Sequence, residues 1–323
     1  MNDSPSIDRR STAASAPERA ALHGVSFLER GWLSSNNVLL HGAPGEGATL
    51  VDTSHCNHAP QTLALVRQAL AGEPLARVVN THLHSDHCGG NARLAREFGA
   101  PLLVPPGQFE AARAWDEDVL SYRAVRQRCE RFTPDARITP GELLTVGTRH
   151  WEALAAPGHD PHSVMLFDAG HGVLISADAL WQNGFGVVFP ELEGESAFDD
   201  VAAVLDLIER LDARCVLPGH GAAFTDVAEA LARARSRLAS FRADPARHAR
   251  HAAKVLLKFH LLEEIERPLP ALCAWFADAP LIDGMWQRLG APAGSREAWC
   301  EQLVGELVAA QALVLRDGVV YNA

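Results

Sequence analysis

The stretch Asn80-Thr81-His82-Leu83-His84-Ser85-Asp86-His87-Cys88-Gly89-Gly90 places three imidazoles and a carboxylate within six positions, 82 to 87. In an extended segment alternate side chains share a face, so His82 and His84 point to one place. If a helix begins just after them, Asp86 and His87 turn towards a neighbouring place. Imidazole and carboxylate suit zinc, and iron or manganese as well. Four such groups can serve two ions held close together, but two ions need further ligands. The sequence offers three more at the ends of apolar runs, each beside turn residues: His159 in Ala156-Pro157-Gly158-His159, Asp178 in Ser176-Ala177-Asp178, and His220 in Pro218-Gly219-His220-Gly221. Any one of these histidines alone reads as an ordinary surface or core residue. Burying the whole set without a cation would be costly, and nothing else in the sequence would satisfy it.

The elements that would position these groups alternate between strand and helix. Ala48 to Asp52 is a short apolar run ending in Asp, consistent with a buried strand. Pro60 to Leu70 carries apolar residues at helical spacing, Arg77 to Asn80 is a strand, Asn91 to Phe98 a helix, and Leu102 to Val104 a strand again. This alternation is the signature of a layered α/β arrangement. Val25 to Leu40 reads as two extended segments around a turn, and Gln108 to Arg131 as a charged helix. Glu142 to Val146, His150 to Ala155, Ser163 to Phe167 and Val173 to Ser176 read as strands. Ala197 to Leu211 is an amphipathic helix, and Cys215 to Leu217 a last strand. Beyond about Asp226 the pattern gives three helices. A terminal hairpin then turns at Asp317-Gly318.

Composition narrows the function classes. The chain has 323 residues, 47% hydrophobic and 21% charged, with a net charge of −11. That balance excludes bulk disorder and makes a general nucleic-acid binder a poor expectation. No apolar run approaches the roughly 18–20 residues needed to span a bilayer. Residues 1–20 lack the apolar middle of a secretory signal and read as a disordered tail. The six cysteines have no framework spacing and are expected as reduced thiols in a cytoplasm.

On these residues the chain resembles the metallo-beta-lactamase-fold hydrolases. His82-Leu83-His84-Ser85-Asp86-His87 matches that family's His-x-His-x-Asp-His motif in full. His159, Asp178 and His220 match its later ligands in order and local setting, and Asp52 matches the Asp that supports the site. The resemblance covers roughly residues 22–225. It implies a four-layer αββα sandwich over residues 21–226. The helices and terminal hairpin over 227–323 in turn resemble the winged-helix extension of one group of these hydrolases. The family resemblance also implies two metal ions, zinc with iron or manganese as alternatives. His82, His84 and His159 would hold the first, Asp86, His87 and His220 the second, and Asp178 would bridge them. The nucleophile would be a hydroxide between ions about 3.5–4 Å apart. Asp86 would orient it or accept its proton.

Several residues near this set remain open. His55 and His58 lie just after Asp52 and fit supporting or solvent-exposed roles, and His162 is expected to pack. Cys56 and Cys88 fit small buried thiols. Trp181 and Phe185, among glycines after Asp178, would line an apolar pocket at the mouth. The stretch Arg233 to Lys258 holds eight Lys or Arg against Asp244 alone, and fits a solvated helix face better than a phosphate-binding one.

The resemblance also sorts subfamilies. Many class B β-lactamases are exported and place Cys where this chain has Asp178. Only 18 residues separate His159 from Asp178, too few for the inserted domain of the family's RNA-processing and DNA-repair nucleases. Acyl-homoserine lactonases carry a Tyr near the site, and neither Tyr122 nor Tyr321 has a matching context. Glyoxalase II enzymes share Thr81 to Gly90 closely, whereas persulfide dioxygenases use the scaffold with one iron. Residues 240–323 hold nine Lys or Arg against ten Asp or Glu, a near-neutral module rather than the basic one that RNA affinity requires. The expected substrate is therefore a small thioester, ester or lactone. Single-stranded RNA cleavage, or a non-catalytic metal-containing regulator that contacts nucleic acid, comes second.

Overall fold

The computed structural model describes residues 21–289 and 294–323. The tail expected over residues 1–20 lies outside the described residues. Strands Val25–Leu28 (β1), Asn37–Leu40 (β2), Ala48–Val51 (β3), Leu75–Val79 (β4), Leu102–Val104 (β5) and Ala136–Arg137 (β6) form one sheet in chain order. The first three pair antiparallel, as hairpins and short turns allow. From β3 to β6 the pairing is parallel, so the chain must cross over between strands. The helices Ala59–Leu70 and Asn91–Phe98 make the first two crossovers.

A second sheet runs in the order β11-β10-β9-β8-β7. Its strands are Leu143–Val146 (β7), Arg149–Ala155 (β8), Val164–Asp168 (β9), Val173–Ala177 (β10) and Cys215–Pro218 (β11). Helix Phe198–Leu211 carries the parallel crossover from β10 to β11. It buries Phe198, Val201, Val204, Leu205 and Ile208 on one stripe, each worth about 1.5–3 kcal/mol of transfer free energy.

The alternation of side chains along the strands separates three apolar layers. Val38, Leu40, Val51 and Val79 of the first sheet meet Trp151, Ala153, Leu166, Ile175 and Leu217 of the second between the sheets. Their chain neighbours Leu39, Leu50 and Val78 point the other way, onto Leu63, Val66 and Leu94 of the covering helices. Met165, Leu174 and Val216 likewise face Val201, Leu205 and Leu231. The result is the expected helix–sheet–sheet–helix sandwich.

Beyond it, helices Val227–Ala243, Pro245–Glu264, Leu269–Ala277, Pro280–Arg288 and Arg296–Ala309 accompany a small antiparallel sheet among the described residues. That sheet pairs Glu266–Pro268 (β12) with Val319–Asn322 (β14), and β14 with Leu313–Arg316 (β13). The apolar pattern predicts three helices here, whereas the described residues form five. Leu269–Ala277 (LPALCAWFA) is apolar on nearly every side, so it carries no stripe to read. A core of Leu256, Leu261, Phe276, Trp299 and Leu303 unites the module. It also takes in Val125, Val187 and Leu192, which pins the module to the sandwich.

The charged helix expected over Gln108 to Arg131 is a second correction. Helix Pro106–Ala114 ends with Trp115 in the left-handed region, and only Tyr122–Val125 is helical after it. Asp116 accepts from the backbone N–H groups of Asp118 and Val119 at 3.1 and 3.2 Å, a side-chain turn that competes with the helical bonds.

Candidate metal centre

The functional candidates gather where strands end. Asp52 follows β3, His82 follows β4 by three residues, and His159 lies beyond β8. Asp178 follows β10, and His220 follows β11. The parallel pairs β3/β4 and β10/β11 bring their C-terminal ends to one edge of the sandwich. Asn36 fastens the two sheets there, its amide donating to the carbonyls of Pro218 at 2.9 Å and Gly221 at 2.8 Å. Ser85–Cys88 forms a single helical turn that swings Asp86 and His87 away from His82 and His84.

All seven expected ligands are brought together. His82 Nε2 lies 3.1 Å from His84 Nδ1, which lies 2.8 Å from His159 Nε2. Beside this trio, His220 Nε2 is 3.0 Å from Asp86 Oδ2, and His87 Nε2 is 3.8 Å from the same oxygen. Asp178 faces both groups. Its Oδ1 is 3.4 Å from His87 Nε2, and its Oδ2 is 3.4 Å from His159 Nε2 and 3.9 Å from His220 Nε2. Tetrahedral ligands on bonds of 2.0–2.1 Å would stand about 3.3 Å apart, and the observed separations bracket that value.

At three of the five histidines the opposite ring nitrogen is held by the protein, which fixes which nitrogen is free. Asp52 Oδ2 accepts from His87 Nδ1 at 2.8 Å. The carboxylate is itself fixed by Thr81, whose N–H reaches Oδ1 at 2.9 Å and whose hydroxyl reaches Oδ2 at 2.8 Å. His87 Nε2 is then buried, aimed at the site, and without a hydrogen-bond partner among the described residues. His159 Nδ1 donates to the Val187 carbonyl at 2.6 Å. His82 Nδ1 sits 3.1 Å from the Thr81 hydroxyl. A histidine whose far nitrogen is held by a carboxylate or carbonyl presents its near lone pair to a metal. Gly219 is required by the same crowding, since a Cβ there would lie 2.2 Å from Asp178 Oδ1.

Electrostatics agree with a cation-binding set. Burial, with the neighbouring imidazoles, holds His82 well below the ordinary range and His84 at about 4. Burial alone would raise Asp86, but His87 and the hydrogen bond to His220 bring it to about 2. Burial would also raise Asp178; His87, His220 and His159 outweigh it and hold that carboxyl well below its usual range. For His87 burial works downward, yet Asp178, Asp52 and Asp86 push it well above an ordinary imidazole. The set therefore combines neutral imidazoles at His82 and His84 with ionised carboxylates at Asp86 and Asp178, and a proton on His87 that a cation would displace. The residues fit a metal pair.

A family model described as the metallo-beta-lactamase superfamily matches residues 30–220, more than half of the chain. The chain belongs to that superfamily. Among curated relatives, an acyl-coenzyme A thioesterase of Bos taurus is 28% identical over 165 residues, 48% of this chain and 58% of the relative. A hydroxyacylglutathione hydrolase of Anaeromyxobacter dehalogenans is 30% identical over 224 residues, 67% of this chain and 76% of the relative. The chain thus spans little more than half the length of the bovine relative. A beta-lactamase domain protein from Burkholderia ambifaria aligns with a TM-score of 0.55 at 22% identity, over 93% of this chain and 92% of that one. At that identity the likeness concerns the fold.

In this superfamily member the other candidates fall as follows. Trp181 donates from Nε1 to Asp178 Oδ1 at 3.2 Å and packs edge-on to His220. Phe185 does not line the mouth: it is 2% exposed and packs against Phe241 beneath the second sheet. His55 is fully buried, with Nε2 3.9 Å from Glu263 of the C-terminal module. His58 meets the Ser34 hydroxyl at 2.7 Å. His162 is exposed, its ring against Gly107. Cys88 is buried, its thiol reaching the His84 carbonyl at 3.3 Å and so bracing the motif backbone; Cys56 is only half-buried.

Sequence reasoning missed two aromatic neighbours. Trp32, 59% exposed, stacks parallel on His220 with centroids 5.4 Å apart, and Phe189 packs edge-on to His84 at 4.9 Å. Trp32 lies in a loop with no motif. Phe189 follows Asp178 by eleven residues, at no spacing that marks it.

Proposed function

We propose that this chain is a dinuclear metal-dependent hydrolase of small thioesters, with esters and lactones as chemically related substrates. The observation that carries the reading is the convergence of five imidazole nitrogens and two carboxylates at 2.8–3.9 Å, with the far nitrogens of His87 and His159 fixed by Asp52 and Val187. His82, His84 and His159 would hold one ion and Asp86, His87 and His220 the other, with Asp178 between them. Zinc is the first expectation, and iron and manganese are compatible with the same donors. When bound, the metal pair supplies a water of pKa about 7 and an electrophile for a carbonyl oxygen.

The chain's own groups supply the rest. Asp86, whose carboxyl His87 and the hydrogen bond to His220 hold below the usual carboxylate range, would orient the attacking water by accepting its hydrogen bond, or take its proton. Trp181 and Asp52 keep Asp178 and His87 from rotating. Trp32, Trp181 and Phe189 give the mouth an apolar rim suited to an acyl group. The relatives named as an acyl-coenzyme A thioesterase and a hydroxyacylglutathione hydrolase both support thioester chemistry.

Cleavage of RNA is less well supported. Of the basic stretch, Arg233, Arg235, Arg242, Arg247, Arg250 and Lys254 all form ion pairs with acidic residues of this chain. Lys258 donates to the Ala312 carbonyl. A phosphate backbone would have to displace those partners. We read the C-terminal module over 227–323 as a winged-helix-like unit that shapes the pocket, and the chain as a cytoplasmic protein.

The test is metal analysis of the purified protein followed by a panel of thioesters, lactones and single-stranded RNA. Two metals per chain and thioester turnover that His84→Ala and Asp178→Ala abolish are expected. Turnover of RNA in place of thioesters, or thioester turnover that survives Asp178→Ala, would overturn the reading.

A further inference from the structure

The five residues Phe185 to Phe189 wrap around His159 like a strap. Gly186 N–H donates to the Asp178 carbonyl at 2.9 Å, and Phe189 N–H to the His159 carbonyl at 3.3 Å. A Cβ on Gly186 would lie 2.4 Å from His159 Nδ1, so the strap passes directly against the imidazole. At its centre is the peptide unit joining Val187 to Val188. Its carbonyl accepts from His159 Nδ1 at 2.6 Å, and its N–H donates to His248 Nε2 at 3.2 Å. One planar amide is thus hydrogen-bonded at both ends, to an imidazole on each side.

His248 belongs to helix Pro245–Glu264 of the C-terminal module. It is 2% exposed and boxed between Phe198 at 5.3 Å and Phe241 at 5.0 Å. A backbone N–H can only donate, so His248 Nε2 must be a lone pair. Burial, with His251 adding to it, lowers this imidazole to about 4, which keeps that lone pair available through the neutral range. The amide is rigid and polarisable, and an acceptor on its N–H makes its oxygen a stronger acceptor in turn. A stronger acceptor on His159 Nδ1 makes Nε2 a better donor to a metal.

We propose that His248 is a positioning residue for the metal centre, acting through the Val187–Val188 peptide to orient His159 and raise its basicity. The C-terminal module thereby takes part in metal binding although none of the seven candidate ligands lies in it. This rests on the reading that His159 is a ligand.

The experiment uses the full-length protein and measures zinc dissociation constants by competition with a chromophoric chelator. The variants are His248→Phe, which keeps a ring but deletes the acceptor, His248→Gln, which restores an acceptor oxygen, and His159→Ala. His248→Phe is expected to weaken one zinc site about tenfold, at the low end for partners of metal ligands. His248→Gln should recover most of that loss, which a role in packing alone would not produce. Wild-type affinity in His248→Phe, or equal weakening in both variants, would overturn the proposal. Should His248→Phe fail to fold, Val188→Pro removes the same N–H while leaving the His248 ring in place. Weakening there supports the proposal, and wild-type affinity overturns it. A His159→Ala protein that still binds zinc as wild type would instead remove the ligand assignment beneath it. A defective His159→Ala beside a wild-type-like His248→Phe would sink His248 alone.

Discussion

Replacing Asp52 by Asn changes one atom of nearly the same size, yet it should remove a metal. Asp52 is 3% exposed and sits at φ 58°, a left-handed conformation that Asn also tolerates. Its Oδ1 accepts from Thr81 N–H at 2.9 Å, a bond the Asn oxygen can keep. Its Oδ2 accepts from the Thr81 hydroxyl at 2.8 Å and from His87 Nδ1 at 2.8 Å. An amide nitrogen in that place donates. The Thr81 hydroxyl can rotate to accept, but His87 must surrender its Nδ1 proton and carry it on Nε2, the atom that faces Asp86 and Asp178. A protonated Nε2 has no lone pair for a metal. The cost to folding is modest: losing one charge-assisted bond costs about 2 kcal/mol, which for a chain of this length lowers the melting temperature by roughly 3 °C. The cost to the site is larger, on the order of 10–100-fold in affinity for the ion held by His87. Metal content after dialysis, chelator competition and a thermal melt measure both in one preparation. Expected is a folded protein with one metal per chain and thioester turnover reduced at least 100-fold. Two metals bound with wild-type affinity in a folded Asp52→Asn protein would refute the claim that this carboxylate sets the tautomer of His87.

Two further predictions concern residues that are not themselves candidate ligands. His260 stacks 3.7 Å from Trp275 with neither ring nitrogen hydrogen-bonded among the described residues, and burial, aided by Arg267, Arg128 and Arg126, lowers it to about 4. Its folded pKa lies below the unfolded value of about 6.5, so its contribution to stability is fully present above that pH and is lost as pH falls towards the folded pKa. His260→Phe removes the titration and should gain about 1–2 kcal/mol on wild type between pH 7.5 and pH 5; melting curves that stay parallel across that range would contradict it. Trp32→Ala should raise KM several-fold for long-chain acyl thioesters and leave kcat within about twofold, because the indole is at the exposed rim and not among the ligands. An equal effect on acetyl and long-chain substrates would rule out contact with the acyl group.

How much of this was readable depends on where the geometry is encoded. His82, His84, Asp86 and His87 were legible because strand alternation followed by one helical turn fixes their directions within six residues. His159, Asp178 and His220 were legible because each stands at the end of an apolar run beside turn residues, where a sandwich must open; the part of Asp52 came from the family resemblance. Phe185 misled for a local reason. Its flanking glycines suggested a loose mouth loop, but Gly186 is bound to the Asp178 backbone and lies against His159, so the strap turns Phe185 inward to Phe241. Trp32, Phe189 and His248 left no signal, since their places are set by packing between segments far apart in sequence. The two kinds of information meet in a single imidazole. Residue type and spacing nominate a histidine as a ligand, but the group on its far nitrogen decides which lone pair it offers. For His87 that group is Asp52, 35 positions away; for His159 it is a carbonyl 28 positions away, whose own amide is held by a helix of the C-terminal module. The candidate ligands could thus be read along the chain, whereas the hydrogen bonds that decide which lone pair each histidine offers exist only in the fold.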